Sequence, residues 1–310
     1  MTVSDDPGVA GGLTPVARLA PVWLLLRSHG LLGVLRLVVR RLTRARARTW
    51  SVCRRAVHNR VGFEIGGPSG IFSGRGLLPV YGVVERLDNC NFAPDTAWEE
   101  AISEGPTYRP DRVQWTGRQY IREATDLDGI PHHAYDVIIS SHVLEHLANP
   151  LRGLREWIRV LRPEGHLLLV APHGEGTFDH RRPVTSLEHM IADFDAEVAE
   201  DDLTHLEEIV ACHDLSRDPA AGGPAAFRHR CEGNFQNRCI HHHVFTTPSL
   251  LRVLDHVGLE IHTVEPTYPH HIIVLAHKPS AEAPPDNRHW LSGHAAYRKR
   301  SPFTSDRLAD

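Results

Sequence analysis

Between residues 135 and 170 the hydrophobic positions change their spacing twice. Residues 136–140 (DVIIS) form a short apolar, β-branched run, typical of a strand buried on both faces. After Asn149 and Pro150, apolar residues recur at the spacing of one helical face. Residues 162–165 (RPEG) end that helix, and residues 166–170 form a second apolar run. Two buried strands joined by a helix make a βαβ unit, so the pattern predicts an α/β fold.

A glycine-rich turn follows an earlier apolar run. Residues 62–65 (GFEI) predict a strand, which leads into Gly66, Gly67 and Gly70. These glycines supply the positive-φ freedom and the close backbone approach that a bound nucleoside requires. The same string is also compatible with a plain tight turn.

An acidic residue stands at the end of the next apolar run. Residues 80–87 form that run and Asp88 follows it, 24 positions after Glu64. A carboxylate at about this distance from a glycine turn is expected to accept hydrogen bonds from the ribose hydroxyls of a nucleoside.

Three strings of this sequence resemble one known family. They are D-V-I-x-S-x-x-V-L-E-H-L-x-x-P, then V-L-R-P-x-G-x-L-L-L-V, and earlier E-I-G-G-P-S-G. Together they resemble the class I S-adenosylmethionine-dependent methyltransferases, of the type 11 kind, over roughly residues 62–278. The resemblance implies a Rossmann-like, doubly wound, seven-stranded sheet that is mostly parallel with an antiparallel last strand. It also implies S-adenosylmethionine as the cofactor.

The resemblance assigns cofactor contacts to particular positions. In relatives an acidic residue after the third strand meets the adenine amino group, and here Glu123 and Asp126 both fit. The alternative is that the aspartate is the N-cap of a short turn. The complete implied cofactor set is Glu64, Gly66, Gly67, Gly70, Asp88, Glu123, Asp126, Leu127 and Ser141.

Three histidines are candidate catalytic bases. Ligands of an open parallel sheet bind at the carboxyl ends of its strands, which selects His142 and His173. His180 follows closely enough to reach the same crevice. A neutral imidazole can take a proton from an oxygen nucleophile near pH 7, so we expect O-methylation of a small-molecule or glycan acceptor.

The string H-V-L-E-H leaves a metal site open. His142, Glu145 and His146 would share one face of a helix, which permits a divalent ion. The ubiquinone-pathway O-methyltransferases carry E-x-x-E-H here as a metal site, and His142 replaces the first Glu. A metal-assisted O-methyltransferase is therefore an alternative, although structural bracing by Glu145 and His146 is favoured over metal binding. A peptidase is disfavoured because the motif directly follows a buried strand.

Residues 174–240 form an insertion that the minimal fold does not need. Its acidic helical part, residues 186–212, predicts a lid or a dimer surface. Its polar residues are compatible with a metal site, an acceptor-binding wall or, most simply, a solvated face. They are Asp179, His180, His189, Asp201, Asp202, His205, Glu208, His213 and Asp214.

The two ends of the chain differ in character. Residues 1–12 are predicted to be disordered, residues 13–58 to form an amphipathic helical segment, residues 59–278 the methyltransferase domain, and residues 279–310 a disordered tail. Basic and apolar faces within residues 21–48 are compatible with peripheral membrane contact, or with packing on the domain or on a second copy in a homodimer.

Composition excludes some classes of function. The net charge is −4, which disfavours a nucleic-acid-binding surface. Five cysteines without a CxxC motif disfavour a disulfide framework, so we expect a cytoplasmic protein. A Rossmann-like interaction protein without catalysis remains the alternative from another class, and the glycine loop speaks against it.

Overall fold

The computed structural model describes residues 45–96, 101–111, 113–280 and 284–308, together with residues 31, 33–35 and 38. The predicted disorder of residues 1–12 and most of the predicted helical segment 13–58 lie outside this range. The part of that segment that is described contains helix α1 (Trp50–Val57). Thr49 anchors it, because its backbone N–H and its hydroxyl both donate to Glu265 Oε2.

The described residues form a sheet of eight strands in the order β3-β4-β2-β1-β5-β6-β8-β7. Their bounds are β1 Val61–Ile65, β2 Arg86–Asn91, β3 Gly105–Tyr108, β4 Gly117–Ile121, β5 Tyr135–Ser141, β6 Leu161–Pro172, β7 Glu260–Thr267 and β8 His271–His277.

The predicted doubly wound α/β architecture is confirmed, with one more strand than expected. Strands β4, β2, β1, β5 and β6 are parallel, and the last strand, β8, is antiparallel to both of its neighbours. The additional strand is β3, which pairs antiparallel with β4 at the edge of the sheet. Its polar sequence, GPTY, gives no apolar alternation, because two of its four residues are exposed.

The central βαβ unit forms as the hydrophobic pattern predicts. Helix α2 (Pro150–Val160) starts at Asn149, whose side chain accepts the N–H of Arg152 and caps the helix. Proline at the first helical position costs no hydrogen bond. Trp157 is 1 % exposed and donates its indole N–H to the Ala124 carbonyl at 2.9 Å, so the helix is fixed against the loop that follows β4. Burying such a side chain contributes about 2–3 kcal/mol.

The insertion and the C-terminal segment supply most other helices. In chain order they are α3 Leu187–Asp195, α4 Leu206–Cys212, α5 Pro224–Glu232, α6 Asn234–Asn237, α7 Thr247–His256, α8 Arg288–Leu291, α9 Ala296–Arg300 and α10 Thr304–Arg307. None of the described helices is long and apolar enough to cross a membrane.

The prediction of a disordered tail from residue 279 is wrong for residues 284–308. The side chain of Asp306 is fully buried and accepts hydrogen bonds from Thr247, Ser301 and the ring of His173. Phe303 stacks on the His173 ring at 3.9 Å. The segment therefore folds because its polar side chains form hydrogen bonds with the domain. Its polar composition alone does not reveal these partners.

Candidate active site

A cavity of about 470 Å³ opens at the carboxyl ends of β1, β2 and β5. Gly66 and Gly70 line it from the first loop, Asn91 from the second strand, and Ser141 and His142 from β5. This is the position where an open α/β sheet binds its ligand, at the point where the strand order reverses.

The loop after β1 requires glycine where it meets β5. Gly66 has φ +75°, and a Cβ there would approach the Val143 side chain to 2.5 Å. At Gly67 a Cβ would lie 2.4 Å from the Glu64 carboxyl carbon. Both contacts exclude a larger residue, so the loop can lie close to a ligand over Gly66.

Glu64 lies beneath this loop, where it holds the loop in place. Its carboxyl group accepts hydrogen bonds from the Tyr81 hydroxyl at 2.9 Å, from the Ser69 N–H at 3.1 Å and from the Tyr108 hydroxyl. Burial raises the pKa of Glu64 to about 7, although these three donors favour the ionised form. The structure therefore places Glu64 one layer behind the cavity wall.

Asparagines at the end of β2 occupy the place expected for an acidic residue. Asn89 accepts the Gly67 N–H at 3.0 Å and donates to the Gly67 carbonyl at 3.1 Å, which joins the strand to the glycine loop. Asn91 lines the cavity, and its Nδ2 is buried without a hydrogen-bond partner among the described residues. A buried donor without a partner indicates a position that a ligand oxygen can fill.

Asp88 does not lie at the strand end where the ribose contact was predicted. Strand β2 continues to Asn91, so Asp88 lies three residues before its end. Its carboxylate accepts the Tyr135 hydroxyl at 2.9 Å and the Arg118 N–H at 2.8 Å, inside the sheet. The prediction was wrong because the apolar pattern ends at Leu87 while the strand does not.

The insertion closes the cavity from the other side through Arg238. Its guanidinium pairs with Glu123, whose carboxylate follows β4, and with Glu200 at 3.5 Å. All three side chains line the cavity. Burial raises the pKa of Glu200 to about 7 and also raises that of Glu123, in both cases against the charge of Arg238. Glu123 thus lines the cavity and already pairs with a cation.

The neighbouring candidates Asp126 and Leu127 do not reach the cavity. Asp126 is exposed, whereas Leu127 is fully buried in the core and donates its N–H to Glu156 at 3.0 Å. Of the two acidic candidates that the sequence left open, the structure brings only Glu123 to the cavity.

His142 is the candidate base that the structure places on the cavity wall. It follows β5 with φ +56°, and its Nε2 lies 2.9 Å from His271 Nδ1. His270, in the turn between β7 and β8, and His271, the first residue of β8, line the same wall. Because a non-glycine residue with positive φ is strained, the surrounding contacts must hold His142 in this position.

The other two predicted bases lie elsewhere. His173 is fully buried between Phe303 and Asp306, its Nε2 3.0 Å from the carboxylate. His180 lies in the insertion with its Nε2 2.9 Å from Asp214 Oδ2. The assignment of a base to His173 is wrong, because the folded C-terminal segment covers it. His180 has its own carboxylate partner and is absent from the cavity lining.

A buried carboxylate surrounded by imidazoles lies behind His142. Glu145 is fully buried, and neither oxygen accepts a hydrogen bond from the described residues. His142 Nδ1 lies 3.5 Å and His146 Nε2 3.9 Å from Glu145 Oε1. Glu145, His146 and His241 each present one possible metal-ligand atom, and these three atoms lie within 4.8 Å of one another.

The outer ring nitrogens of this cluster are already engaged. His146 Nδ1 contacts the Ile240 carbonyl at 2.9 Å, and His241 Nδ1 contacts Asp179 at 2.5 Å. Such contacts direct the other nitrogen inward, as they do for metal-ligating histidines. Burial lowers the pKa of His146 to about 4, so its imidazole is neutral at pH 7. Burial opposes ionisation of Glu145, yet the facing imidazoles lower its pKa to about 2.

Comparison with known families agrees with this geometry. Residues 105–169 match the family described as a methyltransferase domain. The match covers β3 to β6, and the glycine loop and strand order extend the same arrangement to the rest of the sheet. Over these residues the chain is similar to methyltransferase domains, as the sequence resemblance predicts, and S-adenosylmethionine is the cofactor that this similarity indicates. No curated protein matches the sequence.

Solved structures with a similar chain course are distant. A Burkholderia thailandensis 1,6-didemethyltoxoflavin-N1-methyltransferase is 14 % identical, covering 82 % of this chain and 91 % of that one, with a TM-score of 0.42. A methyltransferase from Methanosarcina mazei is 16 % identical, covering 74 % and 97 %, with a TM-score of 0.40. One from Aquifex aeolicus is 13 % identical, covering 74 % and 89 %, with a TM-score of 0.38.

Proposed function

We propose that this enzyme methylates an oxygen of a small-molecule or glycan acceptor, with His142 as the general base. The observation that carries the proposal is the position of His142, at the boundary of two cavities. The larger one meets the glycine loop, and a second of about 280 Å³ is lined by His142, His146 and His270 as well as by Phe178 and Arg217.

The larger cavity fits the cofactor. Gly66 leaves room for close approach, and Asn91 Nδ2 offers a donor to a ribose oxygen. When bound, S-adenosylmethionine supplies an electrophilic methyl group. The protein then has to orient the acceptor and remove its proton, since orientation supplies much of the rate of a bimolecular displacement.

The smaller cavity fits an acceptor that carries a hydroxyl group. Phe178 supplies an aromatic face, Arg217 a cation, and the imidazoles supply proton acceptors. In a proton relay, His142 Nε2 and His271 Nδ1 at 2.9 Å can share one proton. The aromatic and polar lining favours a sugar or phenol over a purely apolar molecule.

Cofactor binding is tested with S-adenosylhomocysteine by titration calorimetry. Asn91→Ala is expected to weaken affinity about 10-fold, the equivalent of one hydrogen bond. Asp88→Asn is expected to retain wild-type affinity, because Asp88 contacts Tyr135 and Arg118 inside the sheet. If Asp88→Asn weakens binding and Asn91→Ala does not, Asp88 and not Asn91 contacts the ribose.

The base is tested by turnover with candidate hydroxylated acceptors. His142→Gln is expected to lower kcat about 100-fold or more while leaving affinity for S-adenosylhomocysteine within a few-fold. His132→Gln, in an exposed loop, is the matched control. A His142→Gln enzyme with wild-type kcat and pH profile would assign the proton transfer to another group.

A second candidate is a metal-assisted O-methyltransferase. The observation that favours it is the pair of buried Glu145 oxygens without hydrogen bonds from described residues, facing His146 and His241. A divalent ion there would lower the pKa of an acceptor hydroxyl. In that case EDTA abolishes turnover and Zn²⁺, Mn²⁺ or Fe²⁺ restores it. With a simple His142 base, EDTA does not abolish turnover.

A further inference from the structure

A second cluster of possible ligand atoms lies in the insertion, between helices α3 and α4. His189 and Asp193 are four residues apart on α3, so they share one face of the helix. His205, at the N-cap of α4, faces them from across the intervening loop. The three ligand atoms all lie within 4.8 Å of one another.

Two distances within this cluster match the edges of a metal coordination tetrahedron. His189 Nε2 lies 3.1 Å from His205 Nε2 and 3.3 Å from Asp193 Oδ2. Ligand atoms about 2.0–2.1 Å from a tetrahedral ion are separated by about 3.3 Å. Two of the three separations thus have the required length, and the third, between Asp193 and His205, is within 4.8 Å.

Hydrogen bonds leave the cluster incompletely satisfied. Asp193 Oδ2 is buried and, among the described residues, accepts no hydrogen bond of adequate geometry. A contact between two Nε2 atoms can be a hydrogen bond only if one imidazole carries its proton there and the other does not. A cation would satisfy all three atoms at once.

The geometry points to a zinc-class divalent cation held by His189, Asp193 and His205. Two imidazoles and one carboxylate are ligands that Zn²⁺ accepts in tetrahedral geometry. The side chain of His189 is 42 % exposed, so the site is open to solvent and water can take the fourth position.

The ion would clamp both ends of the loop formed by residues 196–205. That loop carries Glu200, whose carboxylate lines the cofactor cavity beside Arg238. Arg238 Nη1 also donates to the Glu200 backbone carbonyl at 3.0 Å. Zinc would therefore be a structural ion that holds the lid on the cofactor, at a site separate from Glu145 and His146.

The site is tested by counting zinc on the tag-free, full-length protein after stripping with EDTA. At saturation and about pH 7, where imidazole is largely neutral, the wild type is expected to bind one more zinc ion than His189→Ala or Asp193→Asn. His229→Ala removes an exposed imidazole from the same insertion and is expected to keep the wild-type count. Because counts are compared between variants, zinc at the Glu145 cluster does not alter the difference.

Thermal unfolding separates a metal site from a hydrogen-bonded chain of the same residues. Zinc at about 100 times its Kd is expected to raise the wild-type Tm by about 5 °C or more. His189→Ala and Asp193→Asn should lose most of that rise, and His229→Ala should keep it. Equal zinc counts and equal Tm shifts in all four proteins would overturn the proposal. Neither readout needs the methyl acceptor or turnover, so failure of the proposed reaction would leave this test intact.

Discussion

The two halves of the cofactor cavity are built in different ways. The sheet half consists of short loops directly after strands, in which Gly66, Asn91 and His142 each follow or end a strand. The other half comes from chain that returns from far along the sequence, and Arg238 reaches Glu123 across 115 residues. The first half depends on backbone geometry, whereas the second depends on paired charges.

This difference separates what binds the cofactor from what covers it. A backbone cradle is formed whenever the sheet is formed, since close packing fixes the strand ends. If the insertion is the proposed lid, it can open at the cost of the ion pairs of Arg238 with Glu123 and Glu200. We therefore expect substitutions in the loops after the strands to affect folding and the shape of the glycine loop. We expect substitutions in the segments distant in sequence to affect how those segments pack on the domain.

The largest effect is expected where the C-terminal segment docks on the domain. Asp306→Ala should lower the free energy of unfolding by about 3–5 kcal/mol, because it leaves buried donors on Thr247, Ser301 and His173 without a partner. Urea unfolding followed by circular dichroism measures the change. Since both His173 and Asp306 are fully buried, solvent cannot replace the lost contacts.

Asp286→Ala is the matched control for this prediction. Asp286 lies in the same segment and pairs with Arg288 at the surface, where an ion pair contributes little. The urea concentration at its unfolding midpoint should match that of the wild type. If both variants unfold like the wild type, the segment does not contribute to the stability of the domain.

Hydrophobic spacing was sufficient to predict the parts of the molecule that depend on local sequence. It identified β5, α2 and β6 because their apolar residues follow the pattern of a buried strand or of one helical face. It identified the turn at Gly66 because an apolar strand precedes it. It failed at Asp88, because β2 continues through Asn89 and Asn91 in polar residues that are buried.

The packing of the insertion and of the C-terminal segment on the domain could not be predicted from local patterns, because it also depends on buried polar residues. The polar residues that fix them, such as Glu200, Arg238 and Asp306, are buried only because partners distant in sequence satisfy them. A sequence shows the polarity but not the partner, so polar composition indicated an exposed lid and tail.

On the sheet side, the buried carboxyl group beneath the glycine loop should make stability depend on pH. An unfolded glutamate ionises near pH 4.5, whereas in the folded protein the pKa of Glu64 is about 7. Its contribution is therefore fully present below pH 4.5 and is lost as the pH rises through 7. The free energy of unfolding should fall by about 3 kcal/mol across that range.

Urea unfolding at a series of pH values tests this contribution. Glu64→Gln should lack the fall, and the exposed Glu85→Gln should reproduce the wild-type slope. Identical slopes in the wild type and Glu64→Gln would show that the carboxyl group ionises equally in both states.

The glycine loop itself should control cofactor affinity. Gly66→Ala places a Cβ 2.5 Å from the Val143 side chain at a positive φ, so the loop must move. We expect affinity for S-adenosylhomocysteine to fall about 100-fold, or about 2.7 kcal/mol. At Gly82 a Cβ would meet no described atom within 4 Å, so Gly82→Ala should bind like the wild type. A Gly66→Ala protein with unchanged affinity would contradict a preformed cradle.

On the returning side, loss of the Arg238 guanidinium should have the smallest effect on affinity. Arg238→Ala leaves Glu123 and Glu200 without their shared cation, so their pKa values should rise further and the lid should close less often. We expect about 10-fold weaker binding of S-adenosylhomocysteine, with most of the change in the dissociation rate measured by stopped flow. Arg228→Ala removes a surface arginine that pairs with Glu207 in the same insertion and should match the wild type. If Arg238→Ala weakens binding as much as Gly66→Ala does, the lid is part of the cradle and the two halves act as one.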